Sequence, residues 1–190
     1  KLRKVLDAGN TNPSGRLSSN SIASAAVADL LSPADCNGDP DCAGLELAAG
    51  PVIYSIDLDT LDGDGFQIKI QRDLNFMELP DAFSDGYTAV ADMNIDGIPD
   101  IVVMGRAKVG IDPVQLGVYV WNKNGIIRFM TLANQNVNGL IYSMPMIANV
   151  FDDTKRGLAK DFPEIVFASS SNLYCYNLHA TNFPDIAAWW

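Results

Sequence analysis

Ala91-Asp92-Met93-Asn94-Ile95-Asp96-Gly97-Ile98-Pro99-Asp100, followed directly by Ile101-Val102-Val103, is the stretch on which the reading of this chain turns. Counting from Asp92, side-chain oxygens stand at the first, third, fifth and ninth positions, on Asp92, Asn94, Asp96 and Asp100. Gly97 falls where the chain must turn tightly, and an apolar strand leaves the far end. Acids crowded this closely repel one another unless a cation neutralises them. A flexible shell of carboxylate, amide and main-chain oxygens is what Ca2+ takes. The spacing therefore predicts a calcium loop joining two strands. Asp, Asn and Gly also favour turns through local hydrogen bonds, so an Asx-rich surface turn is the alternative reading of the same residues.

Outward from this loop the chain repeats itself. Ala89-Val90-Ala91-Asp92 is echoed by Ala26-Val27-Ala28-Asp29 and by Met146-Ile147-Ala148-Asn149. After each comes a polar, acidic loop, then an acid opening an apolar run: Glu46-Leu47-Ala48-Ala49, Asp100-Ile101-Val102-Val103 and Glu164-Ile165-Val166-Phe167. A third strand follows in each unit, Val52-Ile53-Tyr54-Ser55-Ile56-Asp57, Gly117-Val118-Tyr119-Val120-Trp121-Asn122 and Asn172-Leu173-Tyr174-Cys175-Tyr176-Asn177. Their period-2 alternation indicates strands. Fourth strands are expected at Phe66–Ile70 and Ile126–Met130, behind the hairpin signals Asp62-Gly63-Asp64-Gly65 and Lys123-Asn124-Gly125. The Ala/Ser-rich segment 18–31 has good helix formers, but the repeat makes it a strand.

Four strands in about 60 residues is the period of a propeller blade. The expected fold is all-β, a β-propeller segment of about three four-stranded antiparallel blades over 20–75, 84–135 and 140–190, the third incomplete. A propeller closes with about four to eight blades, so the segment is expected to be part of a longer propeller.

Composition narrows the partners. The 190 residues are 48% hydrophobic, as in a folded globular chain, and no run of 18 apolar residues offers a membrane span. No signal peptide is visible behind Lys1-Leu2-Arg3-Lys4. The formal charge of −10 leaves no basic stripe to neutralise phosphates, which excludes nucleic acid and an anionic membrane surface. Cys36 and Cys42 flank a short acidic loop that can close as a disulfide in an oxidising compartment. Cys175 reads as a buried free thiol. Two cysteines and the lone His179 do not make a zinc ligand set.

The span Tyr87–Val103 resembles an FG-GAP/VCBS-type repeat, the repeat that forms calcium-carrying blades of integrin-alpha-like propellers. The match is strongest over 84–122 and weaker on both sides. The resemblance implies Asp92, Asn94, Asp96 and Asp100 as side-chain calcium ligands, with the Ile98 carbonyl as a further one. It also implies a secreted or cell-surface protein whose propeller takes a protein or carbohydrate ligand or scaffolds the remaining blades and domains. In style, the acidic, repetitive chain is similar to large cell-surface proteins of Bacteroidetes bacteria.

The flanking loops depart from that pattern. In the first unit the ligand-like run is Asp35, Asn37, Asp39 and Asp41, a weaker second cation site, with Pro40 where glycine is expected. In the third, Lys155, Arg156 and Lys160 are expected to offset Asp152, Asp153 and Asp161 without a metal. The hairpin Asp57–Gly65 reads as ordinary turn chemistry.

A nucleophilic triad needs a base, and the chain's one histidine, His179, lies beside no evident nucleophile. Gly86 and Gly97 read as turn glycines, outside any phosphate-cradling motif. Tyr54, Tyr119, Trp121, Tyr174 and Tyr176 can stack on sugars, but at equivalent strand positions they are expected to fill the core. The expected function is thus non-catalytic: a calcium-binding propeller segment in adhesion, ligand binding or scaffolding. The alternative is part of a secreted carbohydrate-active propeller enzyme, a lyase or hydrolase, with its catalytic residues elsewhere.

Overall fold

The computed structural model describes residues 24–36, 38–39, 42, 44–57, 67–74, 83–108, 114–136, 143–169 and 172–178. These form three antiparallel sheets in chain order. The first is β1 (Ala26–Ala28), β2 (Glu46–Ala49), β3 (Val52–Asp57) and β4 (Gln67–Asp73). The second is β5 (Phe83–Ala91), β6 (Asp100–Lys108), β7 (Val114–Asn122) and β8 (Gly125–Asn136). The third has three strands among the described residues, β9 (Met146–Ala148), β10 (Glu164–Ser169) and β11 (Asn172–Asn177). Each sheet is a meander in which sequential strands pair. The hairpin Asp57–Gly65, apart from Asp57, and His179 lie outside the described residues.

The sheets stack face to face, and alternation along the strands explains how. In β6, Ile101 and Val103 point toward the first sheet while Val102 and Met104 point toward the third. In β7, Tyr119 and Trp121 take the first direction, Val118 and Val120 the second. The second sheet is therefore buried on both faces, which is why Ile101-Val102-Val103 of β6 reads as an unbroken apolar run. One core joins these residues to Leu30, Leu31, Ala48, Ile53 and Leu74, the other to Ile165, Phe167, Tyr174, Tyr176 and Leu178. Burying each large side chain is worth about 1.5–3 kcal/mol, so these two seams hold the stack together. Tyr54, Tyr119, Trp121, Tyr174 and Tyr176 are all buried, and Phe167 stacks on Tyr174 with ring centroids 5.0 Å apart. They fill the core and present no ring face to solvent.

The first strands of the three sheets are neighbours. β5 touches both β1 and β9, and Ser24 makes a parallel bridge to Tyr87. The turn between β2 and β3 also reaches across: Gly50 N–H donates to Thr88 Oγ1 at 3.0 Å, and Trp121 Nε1–H donates to the Gly50 carbonyl at 3.2 Å. Gly86 is not a turn residue. It lies inside β5 opposite Gly105, beside a register shift, and a Cβ there would meet the Met104 carbonyl oxygen at 2.0 Å. Close backbone approach, rather than turn geometry, requires glycine at that position.

Candidate metal centre

The loop Asp92–Asp100 leaves β5 and enters β6. Asp92 Oδ1 accepts the Asp96 N–H at 3.1 Å and Oδ2 accepts the Gly97 N–H at 2.8 Å. The Asp96 N–H is shared with Asn94 Oδ1 at 3.1 Å, and Asn94 Nδ2 donates to Asp96 Oδ2 at 2.9 Å. Asp96 Oδ1 in turn accepts the Ile98 N–H at 2.8 Å. Asp92, Asn94 and Asp96 thus gather around one turn, with Asp96 exposed. Two left-handed residues make the turn possible, Ile95 at φ 55° and Gly97 at φ 86°. A β-branched side chain is strained there. Lys160 Nζ, from the third unit, donates to the Ile95 carbonyl at 2.9 Å. The donor set fits a hard cation: it is all oxygen, and each carboxylate oxygen keeps lone pairs beyond the N–H it accepts.

Asp100 is held by other partners. It is fully buried; Oδ2 accepts the Met93 N–H at 2.8 Å and Oδ1 accepts Asn122 Nδ2 at 2.9 Å. Burial pushes its carboxyl up to about 6, against the pull of those two hydrogen bonds, with the charges of Asp96 and Asp92 adding to the rise. The carboxylate bolts the start of the loop to the end of β7.

The same bolt recurs in the other units. Glu46, buried, accepts the N–H groups of Leu30 at 2.7 Å and Leu31 at 3.1 Å, and burial raises its carboxyl above the ordinary range. Glu164, buried, accepts those of Val150 at 2.8 Å and Phe151 at 3.4 Å and takes Asn177 Nδ2 at 3.1 Å. The acid that opens each second strand is thus a structural clamp on the loop before it. Asn122 and Asn177, closing the third strands, are its partners, and the repeat pattern marked all of these positions without revealing the role.

In the first unit the acids face separate partners. Asp35 Oδ2 accepts Ser32 N–H and Oγ–H and pairs with Lys123 Nζ at 2.7 Å. That Lys123 contact, with the Ser32 hydrogen bonds, holds its carboxyl down at about 2. Asp39 Oδ2 accepts Gln71 Nε2 at 3.0 Å. Asn37 and Asp41 lie outside the described residues. Cys36 and Cys42 are joined as a disulfide, and Cys175 is a buried free thiol. A groove of about 540 Å³ separates this loop from the second one, lined by Asp29, Leu30, Ser32, Gly97, Ile98 and Lys123.

In the third unit, a 3-10 turn (Asp153–Arg156) is capped by Asp152 and closed by Gly157 at φ 87°. Of the expected offsets by Lys155, Arg156 and Lys160, the pair of Lys155 with Asp152 forms at 2.8 Å, and the Arg156 side chain lies outside the described ones. Lys160 reaches the Ile95 carbonyl rather than an acid of its own loop. Among the described residues no three His, Cys, Asp or Glu side chains converge on a point that holds a metal ion. No family model, curated protein or solved structure matches the chain.

Proposed function

We propose that this chain is a calcium-stabilised, non-catalytic segment of a β-propeller in a secreted or cell-surface protein, serving adhesion, ligand binding or scaffolding. The observation that carries the reading is the gathering of Asp92, Asn94 and Asp96 around one strained turn, outside the buried clamp of Asp100. A cation there offsets the mutual repulsion of exposed acids and holds Ile95 in a conformation its side chain disfavours. Ion binding becomes folding stability, because the unfolded chain lacks the site.

The propeller reading draws on the stacking. Ile53 and Val118 occupy equivalent positions and are each covered by the next sheet, as are Leu30 and Met93 in the loops. Their equivalents in the third unit, Leu173 and Val150, are exposed, together with Met146. An exposed apolar face of this kind calls for a further sheet of the same repeat. The Cys36–Cys42 disulfide favours an oxidising compartment. Aromatic side chains committed to the core favour a scaffold over a sugar-stacking platform.

Thermal melting with Ca2+ and with chelator tests the metal. An ion at 100 times its Kd adds about 2.7 kcal/mol, so melting is expected to rise by several degrees and to fall back on chelation. Identical melting in both conditions, with no heat in a calcium titration, would sink the reading.

A further inference from the structure

We propose that the two outer faces of the stack are halves of one interface, and that two copies of this chain join end to end through them, closing a ring of six sheets. The pairing rests on the propeller reading above and assigns the missing sheets to a second copy. Register makes the inner strands of the three units equivalent: Val27 stands opposite Leu47, Val90 opposite Ile101 and Ile147 opposite Ile165. Val90 and Ile101 pack toward the first sheet, Ile147 and Ile165 toward the second. Val27 and Leu47 have the same orientation in the first sheet, where no described sheet precedes them. Val27 is 58% exposed, Leu47 is half-buried, and Leu45 beside them is exposed.

The opposite face repeats the pattern at the other end. The N–H groups of Leu30, Met93 and Val150 each go to the clamping acid of their own unit, so the three occupy one position. Leu30 and Met93 are buried in the seams that lead to the next sheet, whereas Val150 is 50% exposed. Met146 and Leu173 are exposed on the same side, Leu173 alternating with the inward Tyr174. Elsewhere on the two end faces Tyr54, Val166 and Cys175 are buried, so the open ground centres on the inner strands and the loops beside them. Apolar side chains left open in a cluster mark a site of association. Each seam inside the chain sets a face of the Leu30 and Met93 kind against one of the Val90 and Ile147 kind. One unfilled face of each kind remains, at opposite ends, and a second copy supplies both counterparts at once. Such a contact is heterologous, closing as a ring or running on as a filament. Three described sheets in each copy make six for two, within the range of about four to eight at which blades close. The first strands already neighbour one another, β5 touching both β1 and β9, as they must around a common axis.

The test is sedimentation equilibrium on the full 190-residue chain with Ca2+ present. A dimer and nothing larger is expected at concentrations up to about 100 μM. Val27→Glu and Leu173→Glu, on opposite faces, are each expected to weaken it about 100-fold, because every seam of the ring uses one face of each kind. Ile127→Glu, at an exposed position of the second sheet, is expected to leave the dimer unchanged. Folding of each variant is checked by its circular dichroism spectrum; should Leu173→Glu fail to fold, Met146→Glu tests the same face. A monomer throughout overturns the pairing, and calcium-dependent melting of that monomer would leave the metal reading standing. Species that grow beyond the dimer with concentration overturn the closed ring. A dimer that survives Val27→Glu or Leu173→Glu, or that Ile127→Glu weakens as much, overturns the proposed seam.

Discussion

The loops that leave β5 and β9 start from equivalent strand ends and return to equivalent acids, yet they dispose of negative charge in opposite ways. The short loop keeps Asp92, Asn94 and Asp96 around its turn and turns only Asp100 inward. The longer one has room for a 3-10 turn, which carries Asp153 under the loop to lie beside Glu164. The difference separates two roles that a motif runs together. The acid opening the second strand ties loop to sheet in every unit, whereas the residues preceding it decide whether the remaining acids lie at the surface or beneath the loop.

The clamps offer the strongest way to break this comparison. Asp100→Ala removes the acceptor of the Met93 N–H and of Asn122 Nδ2; Glu164→Ala removes that of the Val150 and Phe151 N–H groups and one of the two acceptors of Asn177 Nδ2. Each buried orphan costs about 1–3 kcal/mol. Urea denaturation in chelator is therefore expected to show a loss of about 3–5 kcal/mol for Asp100→Ala, whose two freed donors are buried, and a smaller one for Glu164→Ala, whose main-chain donors are only part-buried. A loss below about 1 kcal/mol for Asp100→Ala would mean that the carboxylate does not clamp the loop.

Asp96→Ala sharpens the contrast from the other side. In chelator it is expected to cost under about 1 kcal/mol, as for an exposed turn residue. With Ca2+ present it is expected to forfeit most of the roughly 2–3 kcal/mol that an ion bound at the proposed site would add. Equal losses in both conditions would assign Asp96 to the turn alone.

Next in size is a pH effect. Asp100 titrates near 6 in the folded chain, above the ordinary carboxylate range that applies when it is unfolded. Between those values the folded state holds more protons, so stability falls as pH rises from about 4 through 6 and then levels. Melting in chelator is expected to follow that course, and Asp100→Asn to make it shallower, leaving the contribution of the buried Glu46 carboxyl. The smallest effect belongs to Lys160→Ala, which removes the link from the third loop to the Ile95 carbonyl. At an exposed position its loss is expected to be under about 1 kcal/mol, measurable as a slightly larger calcium dependence of melting.

Strand positions were legible because alternation is local. Val52–Asp57 and Asn172–Asn177 are β3 and β11 as their aromatic and β-branched spacing indicates. The end of β7 is likewise where Tyr119 and Trp121 place it. What escaped the sequence depends on partners far along the chain. Whether Asp100 faces solvent or sheet is decided by Asn122, and the fate of Asp35 by Lys123. Asp153 sits in a stretch thick with charge, and nothing in the spacing marks it as the acid that goes inside. Lys160 looks like a neighbour for Asp161 but is drawn to a carbonyl on another unit.

The turn at Gly50 has a consequence for how the molecule opens. Hairpin tips ordinarily exchange amide hydrogens quickly, since they loosen before the strands they join. Gly50 is gripped on both sides by Thr88 and Trp121 of the second sheet. Its deuterium uptake therefore waits until two neighbouring sheets come apart, making one glycine amide a clock for their separation.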